Sequence, residues 1–325
     1  MDSTYLIPEH ILRLESTIGQ ELDHLIQFWQ ERVMDTENGG CIGKMDAQGQ
    51  IEPHSNKGVI LHTRLLWTYS ILALKKENLL LGQLADRAFH YLIEYFWDYA
   101  YGGVYWMLNY QGEVVADQKQ IYAQAFAIYG LTEYYRLSGN EMAREKAIEL
   151  FYLVERFSAD SRQGGYFEAF SMNWRPLDDL RLSEKDANEA KTMNTHLHLL
   201  EAYTNLYKVI PGPEIRIALK ALVELYLQRF IDPKSGRLLL FFDENWNSKS
   251  GIISYGHEIE SAWLLVKAAE LLGEEDLLKR THDLAIQIAD FILDEGMGPK
   301  GGVFYEKKED GTLDAEKHWW VQAEA

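Results

Sequence analysis

Histidine side chains occupy two short polar clusters that interrupt otherwise apolar helical patterns. The first cluster, KTMNTHLHLLE at positions 191–201, contains His196 and His198, and the second, SYGHEIESAWLL at 254–265, contains His257. With an ordinary pKa of about 6.5, one imidazole can accept a proton while another donates one at neutral pH. These residue types therefore predict general acid–base chemistry at the starts of two helices.

Five segments share a layout that must position these clusters. Each has a turn, a Gly-Gly or Ser-Gly pair and a short run rich in aromatic or apolar residues: NGGCIGKMD, YGGVYWMLN, QGGYFEAFS, SGRLLLFFD and GGVFYEKKE. Their first small residues are Gly39, Gly102, Gly164, Ser235 and Gly301. The intervals of 63, 62, 71 and 66 residues between them indicate an internal repeat.

Paired helical patterns fill the intervals between these segments. The pattern at 79–97 is followed by one at 121–137, and similar patterns cover 141–157 and 194–207. Each repeat therefore reads as helix, hairpin-like turn, helix. A helix pair that is apolar on more than one face cannot bury itself alone, so neighbouring pairs must stack into an arc or close into a ring.

Stacking of this kind predicts an all-α fold, an (α/α) barrel or toroid of helix pairs with short β-hairpins at one end. The histidine clusters then lie at the N-termini of inner helices that face a central cleft. We expect one domain over residues 1–325, because no linker composition divides the chain. A single-turn solenoid is the alternative. The inner helices are expected to start at Ile60, Ile121, Asn194, Gly256 and Lys317.

Composition narrows the class of protein and of partner. A hydrophobic content of 47% in 325 residues predicts a globular chain. The lone Cys41 and the absence of a signal-like N-terminus predict a cytoplasmic protein. A net charge of −18 would repel nucleic acid and anionic membranes. We therefore expect a neutral small-molecule ligand, whereas the oligomeric state stays open.

Motifs for metals and nucleotide cofactors are missing from the sequence. There is no HExxH, no cysteine pair, no GxGxxG and no GxxxxGK[ST]. We therefore expect no metal and no cofactor.

Several motifs carry a resemblance to a known family. They are KQIYAQAFAIYGL at 119–131, MNTHLHLLEAY at 193–203, ISYGHEIESAWLL at 253–265 and WWVQAEA at 319–325. With the hairpin repeats, they make the chain similar to the N-acylglucosamine 2-epimerase superfamily, and within it to the cellobiose 2-epimerases most. The resemblance implies an (α/α)6 barrel.

The resemblance also implies a reaction. It is the cofactor-independent conversion of the reducing-end glucose of a β-1,4-linked disaccharide, such as cellobiose or lactose, to mannose. A base removes the C2 proton of the opened sugar, and the resulting cis-enediolate is reprotonated on the opposite face. Two bases on opposite sides of C2 are required, a task suited to imidazoles.

Helical spacing separates the catalytic candidates from their neighbours. His257 is the first choice as base, and Glu260 shares its helix face, so Glu260 could hydrogen-bond that imidazole or a sugar hydroxyl. His198 lies four residues after Asn194 and on the same face, so it is expected in the cleft as a second catalytic imidazole. His196 must point elsewhere, into packing or a backbone hydrogen bond.

Substrate-binding residues follow from the enediolate and from the resemblance. Negative charge on O1 and O2 needs a cation or donors, and Arg64 in LHTRLLWTY matches the family's substrate-binding arginine. Tyr122 and Asn194 match further sugar-contacting positions, and Trp320 matches an aromatic residue that stacks on the reducing-end sugar. The acidic stretch RLSEKDAN at 181–188 is expected at the cleft mouth.

The family pattern also implies a sixth repeat with a further Trp and a further catalytic His, and no residue of this sequence matches them. From this we expect an incomplete barrel that lacks its last repeat.

Three other functions stay open at this point. An aldose–ketose isomerase, or an N-acylglucosamine or mannose 2-epimerase of the same superfamily, would share the scaffold. A glycoside hydrolase would need two suitably spaced carboxylates, for which Glu260 and Asp243 are candidates. A non-catalytic sugar-binding remnant would bind without turnover.

Overall fold

The computed structural model describes residues 9–184 and 187–325, most of which are helical. Three outer helices end in a π-helical turn, at Leu92–Phe96, Tyr226–Phe230 and Ile292–Gly296. No helix among the described residues is long and apolar enough to cross a membrane. The α-helices are α1 (Glu9–Arg32), α2 (Val59–Lys76), α3 (Leu79–Tyr91), α4 (Ile121–Ser138), α5 (Glu141–Phe157), α6 (Met193–Val209), α7 (Pro213–Leu225), α8 (Tyr255–Leu272), α9 (Glu275–Phe291) and α10 (Trp319–Glu324).

Inner and outer helices alternate along the chain. The inner helices α2, α4, α6, α8 and α10 pack side by side in that order, and α3, α5, α7 and α9 each pack behind the inner helix that precedes them. The result is an arc of helix pairs whose inner helices line one concave side. Every inner helix begins within two residues of its predicted start, at Val59, Ile121, Met193, Tyr255 and Trp319.

Short strands connect neighbouring repeats at one end of this arc. The strand before an inner helix pairs antiparallel with the hairpin of the next repeat: β1 with β2, β4 with β5, β6 with β7 and β8 with β9. β3 and β10 complete two of these sheets. The strands are β1 (Lys57–Gly58), β2 (Met107–Leu108), β3 (Val114–Ala116), β4 (Lys119–Gln120), β5 (Ala169–Phe170), β6 (Lys191–Thr192), β7 (Phe241–Phe242), β8 (Ile253–Ser254), β9 (Glu306–Lys307) and β10 (Leu313–Asp314).

Buried lysines fix the starts of three inner helices. Their ammonium groups pair with an aspartate in the preceding turn, and an unpaired charge at such depth would cost several kcal/mol, on the order of 3–5. Ile253 takes the place of the lysine in the fourth repeat. The pairs are Lys57–Asp35 at 2.8 Å, Lys119–Asp98 at 2.8 Å and Lys191–Asp160 at 2.7 Å.

A polar side chain at the fourth residue of each inner helix, buried in all but the last of them, accepts a main-chain N–H from the hairpin of its own repeat. His196 is one of them, which confirms the prediction that it makes a backbone hydrogen bond rather than facing the cleft. The bonds are Cys41 N–H to His62 Nε2 (3.0 Å), Val104 N–H to Gln124 Oε1 (2.8 Å), Tyr166 N–H to His196 Nε2 (2.8 Å), Leu238 N–H to Glu258 Oε1 (2.9 Å) and Val303 N–H to Gln322 Oε1 (2.9 Å).

The Gly-Gly signature has two physical causes at these hairpins. Gly165 has a φ of +78°, which L-residues other than glycine rarely adopt. A Cβ at this position would also overlap His196 and Trp246. The signature therefore reports a left-handed turn packed directly against the helix-start side chain.

Candidate active site

All seven predicted site residues line one cavity of about 860 Å³ on the concave side of the arc. This volume falls within the range of roughly 300–1,000 Å³ that small-molecule sites occupy. The helix α1 contributes an apolar wall that includes Leu22, Leu25 and Trp29. The seven residues are Arg64, Tyr122, Asn194, His198, His257, Glu260 and Trp320. We call this space the barrel cavity.

His257 lies in the first turn of α8, half-buried in the cavity wall. Its Nδ1 is 2.8 Å from Oγ of Ser254, the N-cap residue of α8. Of the two roles predicted for Glu260, the hydrogen bond to this imidazole is not formed, because a helical side chain leans toward the preceding turn and His257 therefore meets Ser254. The hydrogen bond to a sugar hydroxyl stays a prediction. Burial, with a smaller contribution from His198, lowers the pKa of His257 to about 4. The ring is neutral at pH 7 and can accept a proton.

Trp320 forms the neighbouring part of the wall. Its ring centroid lies 5.0 Å from that of His257. A Cβ on Gly256 would overlap the rings of Trp320 and the side chain of Val321. The absence of a side chain at position 256 is what allows α10 to approach α8 so closely.

His198 faces the cavity from α6. Its Nδ1 is 3.0 Å from Oε2 of Glu201, one turn further along the same helix. The imidazole also contacts the rings of Tyr122 and Phe126, at centroid distances of 5.0 and 4.6 Å. Sequence reasoning missed Glu201, although its i+3 spacing from His198 was a usable signal.

Glu260 is a buried carboxyl with 9% of its surface exposed. Burial, and then the charges of Glu324 and Glu201, raise its pKa to about 8, against the opposing charge of Arg64. The carboxyl is therefore protonated at neutral pH and can donate a hydrogen bond or a proton.

Arg64 places a permanent positive charge at the same wall. Its guanidinium donates to the Tyr122 hydroxyl at 3.3 Å and lies over the Phe126 ring, with Cζ 4.0 Å from the centroid. Asn194 adds an acceptor, because its Oδ1 is buried and has no hydrogen-bond partner among the described residues.

A second space, the hairpin cleft, has a volume of about 490 Å³ and shares Asn194 and His257 with the barrel cavity. It opens among the hairpins and is lined by Tyr305, Glu306 and parts of the loop predicted at the cleft mouth, including Arg181 and Ala187. Residues 185–186 of that loop lie outside the described residues.

The arrangement brings together a neutral imidazole, a protonated carboxyl and a guanidinium, which suits proton transfer next to a developing oxyanion. Asp243, the second carboxylate of the glycosidase alternative, lines neither space. It bonds Asn247 and Lys249 within its own hairpin. Within the described ranges, no group of three or more His, Cys, Asp or Glu side chains could hold a metal ion.

Comparisons with known proteins give consistent results. Residues 40–325 match the family described as N-acylglucosamine 2-epimerase (GlcNAc 2-epimerase). The cellobiose 2-epimerase of Bacteroides fragilis is 45% identical over 315 residues, which cover 96% of this chain and 80% of the relative. That of Ruminococcus albus is 39% identical over 313 residues, covering 95% and 79%.

A solved structure of cellobiose 2-epimerase from Bacillus thermoamylovorans superposes with a TM-score of 0.90 at 35% identity. The superposition covers 95% of this chain and 80% of that one. This likeness confirms the predicted class of helical barrel with short strands.

Proposed function

Because the chain belongs to the N-acylglucosamine 2-epimerase family, we propose that it is an isomerase that epimerises C2 of the reducing-end glucose in a β-1,4-linked disaccharide such as cellobiose or lactose. The relatives named above are cellobiose 2-epimerases, and their identity to this chain extends over almost all of it. The observation that carries the chemistry is the convergence of seven polar and aromatic side chains on the barrel cavity.

His257 is the proposed base. In the proposed tautomer, Nδ1–H of His257 donates to Ser254 Oγ, which leaves the Nε2 lone pair free to take the C2 proton of the ring-opened sugar. The electron pair of the broken C2–H bond then forms the C1=C2 bond of an enediolate. Return of a proton to the opposite face of C2 gives the mannose configuration, and His198 is the second imidazole available for that exchange.

Three groups are proposed to stabilise the enediolate oxygens. Arg64 supplies positive charge, and its fixed contact with Tyr122 aims both groups into the cavity. Protonated Glu260 donates a hydrogen bond at neutral pH. Because these donors are already in position, the protein reorganises little when charge develops.

Two spaces that share Asn194 and His257 in their walls support a disaccharide rather than a single sugar. We assign the reducing-end ring to the barrel cavity, where Trp320 offers an aromatic face to its C–H groups. The second ring then extends past Asn194 into the hairpin cleft.

Residues 1–325 act in this proposal as one catalytic domain in the cytoplasm, without a cofactor. The single buried Cys41 is in keeping with a reducing compartment.

Product analysis tests the proposal. The chain is incubated separately with cellobiose, lactose, N-acetylglucosamine and mannose, and the products are identified by NMR. We expect the glucosyl-mannose epimer from cellobiose. A ketose as the main product would support an aldose–ketose isomerase. Turnover of the monosaccharides alone would support an N-acylglucosamine or mannose 2-epimerase. Binding of the sugars without conversion would contradict catalysis. The exposed His282 on α9 offers a His282→Ala control.

A further inference from the structure

A carboxyl, Glu258, occupies a helix-start position that carries an uncharged side chain in the other repeats. Its Oε1 accepts the Leu238 N–H at 2.9 Å, as its counterparts accept theirs. The equivalent residues are His62, Gln124, His196 and Gln322, each at the fourth position of its inner helix.

The second polar atom of each counterpart lies within hydrogen-bond distance of a main-chain carbonyl oxygen. A carbonyl only accepts, so each of these second atoms must carry a hydrogen. The contacts are His62 Nδ1 to Gly58 O at 2.8 Å, His196 Nδ1 to Thr192 O at 2.7 Å, Gln124 Nε2 to Val104 O at 3.0 Å and Gln322 Nε2 to Val303 O at 2.8 Å.

The second oxygen of Glu258, Oε2, is buried and has no hydrogen-bond partner in the part of the chain that the structure describes. An ionised Oε2 can only accept, so it could not complete the pattern seen in the other repeats. A protonated Oε2–H can donate to a carbonyl and makes Glu258 equivalent to the glutamines. A buried oxygen left unpaired would cost about 1–3 kcal/mol.

The charged surroundings of Glu258 leave its carboxylate poorly compensated. The lysine that stands five residues earlier in the other repeats is Ile253 here. Arg237, Tyr226 and Tyr255 are the titratable groups whose electrostatic interactions reach Glu258 from the hairpin, the α7 end and α8. The Arg237 guanidinium lies over the Phe291 ring, with Cζ 3.3 Å from the ring centroid, rather than in an ion pair with Glu258.

Burial raises the pKa of Glu258 to about 7, against the opposing effects of the Leu238 N–H and of Arg237.

We propose that Glu258 is a positioning residue that works as a neutral carboxylic acid, and that its proton joins the fourth hairpin to the first turn of α8. The same turn carries His257 and leads to Glu260, so loss of the proton loosens the helix start that holds the base. Only this naming of His257 as base rests on the proposed function. The hydrogen-bonding role stands on the repeated geometry, and its test needs no substrate.

Thermal unfolding of Glu258→Gln against the wild type, from pH 5 to pH 8.5, tests the proposal. The folded carboxyl has a raised pKa, about 7 against 4.5 for an ordinary Glu, so the wild type loses stability as pH rises between those values and stays at the lower level above them. The amide introduced by Glu258→Gln does not titrate. We expect the variant's advantage in Tm to grow from pH 5 to pH 7.5 and to reach about 2–4 °C.

Two further measurements make the result decisive. Glu275→Gln, at an exposed carboxyl in the first turn of α9, should show a Tm difference from wild type that does not change with pH. Amide hydrogen exchange of residues 253–265 at pH 8, corrected for intrinsic rates, should be faster in the wild type than in Glu258→Gln and equal at pH 5.5. A variant less stable than the wild type at pH 8, or a Tm difference independent of pH, would overturn the proposal and indicate an ionised Glu258 compensated by Arg237.

Discussion

The Nδ1 atom of His198 lies 3.0 Å from Oε2 of Glu201, so the carboxylate sets which nitrogen of this imidazole carries the proton. Burial, and then the charge of Glu201, raises the pKa of the neighbouring Tyr129 hydroxyl. In the proposed mechanism, the carboxylate holds Nδ1–H, and Nε2 of His198 keeps its lone pair for exchange with the sugar. The His198 ring is thereby oriented by a residue that need not touch the substrate.

This relationship predicts that Glu201→Leu lowers kcat by about tenfold or more, because partners that orient a functional imidazole carry effects of that size. Glu201→Gln should retain more activity, since its amide oxygen can still accept from Nδ1–H. Steady-state kinetics on cellobiose measures both variants. Equal loss in the two variants would show that the carboxylate charge, rather than the orientation, matters.

Gly256→Ala should damage the site through packing. The added Cβ overlaps Trp320 and Val321, so α10 must shift, and overpacking of this kind costs about 1–3 kcal/mol of unfolding free energy. We expect KM to rise as the stacking ring moves. The matched control is Gly82→Ala in α3, where a Cβ meets nothing within 4 Å and should stabilise the protein by about 0.5–1 kcal/mol. Similar Tm changes in the two variants would contradict the overlap.

Arg64→Met should lower kcat by about 10²–10³, the usual loss when one preorganised donor to an oxyanion is removed. Because Arg64 is exposed to the cavity, Tm should change little. Arg144→Met on α5, a partly exposed arginine that pairs with Glu141, serves as the control and should leave kcat unchanged. A rise in KM at constant kcat would instead assign Arg64 to ground-state binding.

The dependence of kcat/KM on pH should be bell-shaped. In the proposed mechanism, activity requires neutral His257, whose pKa is about 4, and protonated Glu260, whose pKa is about 8. The rate should therefore fall as pH drops toward 4 and as it rises through 8. Glu260→Gln keeps a donor that cannot ionise, so its alkaline limb should move to higher pH. An unchanged alkaline limb in this variant, measured where circular dichroism shows it folded, would count against a proton on Glu260.

Acid should destabilise the protein through His196. Burial lowers its pKa from 6.5 to about 3, so below pH 6.5 the unfolded chain binds a proton that the folded chain does not, and stability falls as pH decreases. His196→Gln supplies the acceptor and donor found at Gln124 without the titration. The loss of Tm between pH 7 and pH 4.5 should be smaller in this variant than in the wild type, and an equal loss would contradict the neutral imidazole.

The fold was predictable because glycine turns and apolar periods are local signals. Ile121 was predicted as a helix start and is one, because the hairpin and the helix are each specified by residues that are close together in the sequence. The shared helix-start acceptor was not predictable, because histidine, glutamine and glutamate fill it in different repeats. What unites them is a hydrogen bond from a residue 19 to 30 positions away along the chain, such as Tyr166 N–H to His196.

The residues that line the candidate site could be predicted from the sequence, whereas their contacts with one another were harder to predict. His198 and His257 were assigned to one cleft because both fall at inner-helix starts, and both line the barrel cavity. The hydrogen-bond partner of His257 was not predicted because Ser254 lies just outside the helix and has an extended backbone. Rules for the spacing of residues on a helix face do not apply to such a residue. The pKa values of His257 and Glu260 depend on burial by distant segments and could not be read from the motif.

The most direct test of the proposed chemistry is deuterium incorporation at C2. Cellobiose is incubated in D2O with the wild type, with His257→Ala and with the surface control His282→Ala, and C2 is followed by NMR. The account predicts deuterium at C2 of both glucosyl-glucose and glucosyl-mannose with the wild type and with His282→Ala, and its loss with His257→Ala. Epimer formed without deuterium, or exchange that survives in His257→Ala, would contradict proton transfer through this imidazole.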